Sequence, residues 1–159
     1  MPGINPIQLR DTVIVPTLDY LGLSSPVAVN LVLGTAIQES GCGTYLRQLG
    51  QGPAMGIFQM EPATENDIWA NYLRYKLDLS ERLQALLAVM PARTAQLATN
   101  LAYAAAMCRV HYLRQPDPLP KDANDIEALG RYWKRFYNTS MGKGTADEFV
   151  RNWTKVLKS

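Results

Sequence analysis

Apolar positions are densest between residues 26 and 37, where Val27, Ala28, Val29, Leu31, Val32, Leu33, Ala36 and Ile37 leave polarity mainly at Asn30 and Thr35. A helix that is apolar on nearly every side must be surrounded by other chain, so the pattern predicts a buried central helix. Ser25 and Pro26 supply its start, a hydroxyl cap followed by proline at the first helical position, and Gly41 supplies its stop. Around it the pattern is that of amphipathic helices. Residues 5–22 carry Ile7, Val13, Ile14, Leu18 and Leu21 behind an Asn5-Pro6 cap, with Pro16 expected to kink or divide the segment and Gly22 to end it. Residues 64–67 resemble a capping box ahead of Ile68, Trp69, Tyr72 and Leu73. Ser80 is expected to cap a short helix bearing Leu83, Leu86, Leu87 and Met90, closed by Pro91. A longer alanine-rich helix is expected over 94–113, another over 122–137 through Ile126, Leu129 and Trp133, and a last one after a Thr145–Glu148 capping box, bearing Phe149, Trp153 and Val156. Residues 115–120 read as a stiff loop. Residues 41–56, with glycines at 41, 43, 50, 52 and 56 and a proline at 53, read as a loop or small irregular hairpin. The fold class expected is therefore all-α, α+β at most with a minimal hairpin: one compact domain over residues 1–159, about seven helices around the buried one.

Composition narrows the function classes. The chain has 159 residues, 47% of them hydrophobic and 19% charged, enough for a real core and too apolar for disorder. No apolar run approaches a membrane span, so no stable membrane insertion is expected. The first residues show no basic stretch followed by a long apolar one, so no secretory signal is read and synthesis in the cytoplasm is expected. A net charge of +2 is too small to suggest nucleic acid, and the basic residues at 131–135 and 151–158 read as solvated helix faces. Cys42 and Cys108 make no disulfide framework and read as small buried thiols. With a single histidine, His111, and no ligand spacing around it, neither a metal nor another cofactor is expected. The glycine-rich loop is no phosphate cradle, because no G-x-x-x-x-G-K-[S/T] accompanies it.

The candidate chemistry gathers in residues 34–62, GTAIQESGCGTYLRQLGQGPAMGIFQMEP. Glu39 falls in the last turn of the central helix. There the negative end of the helix dipole and partial burial both raise a carboxyl's pKa, which suits a general acid working near neutrality. A lone glutamate at a helix end is ordinarily a solvated acid, so the surrounding residues have to carry the case. Gln59 is an amide among Ile57, Phe58 and Met60. It could bond nearby backbone, or offer donor and acceptor to sugar hydroxyl and N-acetyl groups.

The Glu39-Ser40 pair, followed across the glycine-rich connection by Gly56, Ile57, Phe58, Gln59, Met60, Pro62 and Thr64, resembles the soluble lytic transglycosylase and goose-type lysozyme group. Tyr137-Asn138, in KRFYNTSMGKGT, resembles that group's Ala-Tyr-Asn-x-Gly motif, with Phe136 in place of the small residue and extra residues before Gly142. Asn100 resembles the segment before that motif and reads as packing, and Tyr103 on the same helix reads as core. The resemblance covers roughly residues 25–145. It implies a lysozyme-like fold with a glycan-binding cleft, Glu39 as the catalytic acid, and Ser40, Gln59, Tyr137 and Asn138 as cleft residues. Glu61 occupies the place where goose-type enzymes supply a second acid, whereas Pro62-x-Thr64 follows the transglycosylase pattern.

The resemblance thus implies cleavage of peptidoglycan glycan strands at the β-1,4 bond between N-acetylmuramic acid and N-acetylglucosamine. In the transglycosylase course Glu39 later acts as base on the sugar's 6-hydroxyl. In the hydrolytic course Glu61 activates water, as an inverting pair of carboxylates does. A glycan-binding structural component without cleavage is the reading from another class. A small domain with no leader would fit a bacteriophage or prophage product that reaches the wall at lysis or within a virion.

Overall fold

The computed structural model describes residues 3–139 and 141–157. The chain opens with α1 (Pro6–Gln8), capped by the Asn5 side chain, continues through a π-helical stretch Leu9–Ile14, and resumes as α2 (Val15–Leu21). The widened turn lets Pro16 sit in the first turn of α2, where a missing N–H costs least. Gly22, at φ 71°, ends it. The buried helix α3 spans Pro26–Ser40, with the Ser25 hydroxyl accepting from the Ala28 N–H and Gly41 left-handed at its end.

The next helices are α4 (Pro62–Asn71), α5 (Leu77–Leu86) and the short α6 (Gln96–Thr99). They lead to α7 (Leu101–Leu113), α8 (Ile126–Trp133), a second π-helical stretch Lys134–Asn138, and α9 (Ala146–Leu157). Among the described residues there is no strand. The loop between α3 and α4 holds only isolated bridges, Arg47 to Met55 and Met55 to Met60, which is the irregular connection its glycines predict.

Two apolar cores share α7. Ala104, Ala105, Cys108 and Tyr112 face α3, α8 and α9, while Tyr103, Ala106, Met107 and Val110 face Ile68, Leu73 and Leu83 on the other side. Each fully buried large side chain of this kind contributes about 1.5–3 kcal/mol. The small residues in the middle of α7 let both layers approach. α9 closes over the C-terminal half of α3: Phe149 lies on Gly34, where an added Cβ would come within 2.3 Å of its ring. Asn152 donates to the Gln38 side chain at 2.7 Å. The C-terminal half of α3 is thereby held by α9 at two points.

Several expected boundaries move. The 64–67 capping box does not form: α4 starts at Pro62 behind Glu61, and Glu65 is buried instead of capping. Ser80 lies inside α5, which ends at Leu86, and Met90 stands in solvent at 76% exposure. The helix expected over 94–113 is broken at Asn100, whose extended backbone and side chain cap α7 by accepting from the Tyr103 N–H. The helix expected over 122–137 starts only at Ile126, behind Asp125. Ile7 is 41% exposed, and Leu9 takes the core position in its place. Ser140 and Lys158 lie outside the described residues.

Candidate active site

Glu39 sits in the last turn of α3, largely buried, with its pKa raised to about 7 because its charged form is poorly solvated there. The groups that feel its charge are the phenols of Tyr45, Tyr112 and Tyr137 and the thiol of Cys108. Burial raises the pKa of each of them, so all are neutral at pH 7. No cation accompanies the carboxyl in an ion pair among the described residues. The one side chain that pulls its pKa back down is Trp133.

The scaffold around Glu39 is built by hydrogen bonds to main-chain atoms. Tyr45 donates its hydroxyl to the Glu39 carbonyl at 2.7 Å. Ser40, 1% exposed, donates to the Ile57 carbonyl at 2.6 Å and accepts from the Gly43 N–H at 2.8 Å. Tyr137 donates to the Phe58 carbonyl at 2.6 Å. These bonds lock the end of α3, the Gly56–Met60 loop and the Lys134–Asn138 stretch to one another. Gly56, at φ 83°, sits so tightly against α6 that an added Cβ would lie 1.9 Å from the Leu97 carbonyl oxygen. Only glycine fits there.

The structure thus brings Glu39, Ser40, the 56–60 loop and Tyr137 together, but gives several of them duties other than those the resemblance implies. The hydroxyls of Ser40 and Tyr137 are committed to the loop's carbonyls, so neither is turned to a substrate, and Tyr137 does not hold the Glu39 carboxyl. Gln59, at φ 47°, donates its side-chain amide to the Gly56 carbonyl at 2.9 Å; among the described residues its amide oxygen has no partner. Asn138 accepts from the Lys134 ammonium at 2.7 Å and lies against Gly142. Glu61 is exposed at the start of α4, and its carboxylate caps nothing.

Four residues near this assembly or its supports escaped the sequence. Trp133, 1% exposed, reads as an ordinary apolar helix position, although its spacing of four from Tyr137 puts both on one face. Tyr45 carries no motif. His111 stacks edge-on against Tyr137 at 5.1 Å, and burial lowers its pKa to about 4, so it is neutral at pH 7. Glu65 is 0% exposed and fully engaged by Tyr103 at 2.5 Å, Thr94 at 2.7 Å and Arg93 at 3.3 Å, with Trp69 donating to Tyr103. That makes it a structural carboxylate that ties α4 to α7. Tyr103 is core, as expected.

Cys42 and Cys108 are buried free thiols. Among the described residues no group of histidine, cysteine, aspartate and glutamate could hold a metal ion, and no helix is long and apolar enough to cross a membrane. Chemically the arrangement offers one carboxyl able to give and take a proton near neutrality, on a rigid mount. No protein family, curated protein or solved structure matches the chain.

Proposed function

We propose that the protein cleaves peptidoglycan glycan strands at the β-1,4 bond between N-acetylmuramic acid and N-acetylglucosamine, with Glu39 as general acid and then base. The observation that carries this reading is a single carboxyl, without a cation partner and with its pKa at about 7, fixed beside the loop whose residues resemble the soluble lytic transglycosylases. Glu39 gives its proton to the glycosidic oxygen as the bond breaks through an oxocarbenium-like transition state. The resulting carboxylate then takes the proton of the muramic 6-hydroxyl as that oxygen closes on the anomeric carbon, which yields a 1,6-anhydro end and restores the acid. A donor with pKa near the working pH serves both halves.

A hydrolytic course is favoured by one observation, the exposed and uncommitted Glu61 carboxylate, which could activate water in place of the 6-hydroxyl. The wall would be the place of action, reached at lysis or within a virion. Digestion of purified peptidoglycan, with mass spectrometry of the released fragments, separates the readings. Anhydro ends are expected. Reducing ends would replace the transglycosylase course with hydrolysis, and wall binding without release would leave a glycan-binding component.

A further inference from the structure

The indole Nε1–H of Trp133 is buried and has no hydrogen-bond partner of good geometry. Buried donors are nearly always satisfied, so an orphan on the side chain that pulls down the raised pKa of Glu39 asks for an explanation. The ring cannot turn away to find another acceptor. It is 1% exposed, lies 5.6 Å from the Phe149 ring, and presses on Gly144, where an added Cβ would stand 2.6 Å from its edge. The hydroxyl and ammonium donors around it are already engaged. The Tyr45 hydroxyl bonds the Glu39 main chain, Tyr112 pairs with Thr35 at 2.7 Å, Tyr137 bonds Phe58, and the Lys134 ammonium is held by Asn138 and the Gly142 carbonyl.

We infer that Trp133 is a positioning residue for the acid/base step: its indole N–H is the donor held open for the Glu39 carboxylate that forms when the proton is given up. This rests on the reading of Glu39 as the acid/base. A protonated carboxyl can satisfy itself as donor, whereas an ionised one only accepts and binds an N–H more strongly. The bond therefore tightens as the proton leaves, fixes the carboxylate's rotamer, and offsets part of the desolvation that would otherwise keep Glu39 protonated. Burial makes the acid, and Trp133 keeps it able to release and retrieve the proton.

The titratable groups facing Glu39, namely Tyr45 on the loop, Cys108 and Tyr112 on α7, and Tyr137 beyond α8, all have raised pKa values. His111, next to Tyr137, is lowered to about 4. Glu39 is thus the one of these groups that titrates between pH 5 and 9.

Two measurements on the protein test the inference without requiring activity. In ¹H–¹⁵N spectra of the wild type, the Trp133 indole proton should move downfield with a midpoint near that of the Glu39 carboxyl carbon, and should not move in Glu39→Gln. In Trp133→Phe the Glu39 midpoint should rise by about one pH unit, the scale expected for losing a hydrogen bond to a charge. The alkaline limb of any glycan-cleaving activity should rise with it. An indole signal flat through the titration, or a Glu39 midpoint unchanged in Trp133→Phe, overturns the inference; the first readout needs no variant to fold. A coupled titration in a protein that cuts no glycan would instead uphold the Trp133–Glu39 bond and overturn the proposed function.

Discussion

A carboxyl with an ordinary pKa has lost its proton at neutral pH, whereas Glu39, with its pKa raised to about 7, keeps a large share of its donor form there because burial disfavours the charge. Glu39→Gln keeps the shape and removes the proton transfer, so it should lower peptidoglycan cleavage by about 10²- to 10⁴-fold, measured as soluble fragments released. Wild-type kcat should fall as pH rises through about 7, because the donor form disappears, and a pH–rate profile checks this. The place and burial of Glu39 were legible: Gly41 marked the helix end, and the apolar run behind it announced burial. Trp133 was not legible. An apolar residue on an amphipathic helix says nothing about where its indole N–H will point, which depends on how α8 docks against α3. The same holds for the hydroxyls of Ser40 and Tyr137, whose carbonyl partners are set by tertiary contact.

At the scale of elements, the site depends on two joints, Ser40 to Ile57 and Tyr137 to Phe58, that tie α3 and the stretch after α8 to the 56–60 loop. Ser40→Ala removes the donor to Ile57 and the acceptor for Gly43. It should lower stability by about 1–3 kcal/mol, read from denaturant midpoints. Gly56→Ala adds both a left-handed backbone penalty and a clash with the Leu97 carbonyl. A loss of about 2–4 kcal/mol is expected, with cleavage impaired even in the folded fraction because the loop must shift. Element ends were legible where a local device decided them, as at Ser25-Pro26, Gly22 and Gly41. They were missed where tertiary contact competed. Glu65 abandons a cap for Tyr103 and Thr94, and Asn100, bonded also to the Leu86 carbonyl at 2.9 Å, breaks a helix that its alanine-rich neighbours would have continued.

For the molecule as a whole, two shifted groups pull stability in opposite directions with pH. Glu39 binds its proton more tightly folded than unfolded, with a pKa of about 7 against 4.5. The folded state therefore loses stability as pH rises across that window. His111 binds its proton less tightly folded, about 4 against 6.5, so it adds stability as pH rises over nearly the same range, and the two largely cancel. Glu39→Gln removes one side of this balance. It should match the wild type below pH 4.5 and exceed it by about 3 kcal/mol above pH 7, as denaturant unfolding at several pH values would show. A two-core arrangement divided by α7 follows from that helix being apolar on both faces, which its sequence displays. Which further residues each core recruits does not follow, since it depends on the irregular loops.

The central claim is that Glu39 is the proton donor of a glycan-cleaving site. Its most direct test is the paired digestion of purified peptidoglycan by the wild type and by folded Glu39→Gln, with the released ends identified by mass. 1,6-Anhydro muropeptides are expected from the wild type and almost none from the variant. Equal release by both proteins, or none by the wild type, would contradict it.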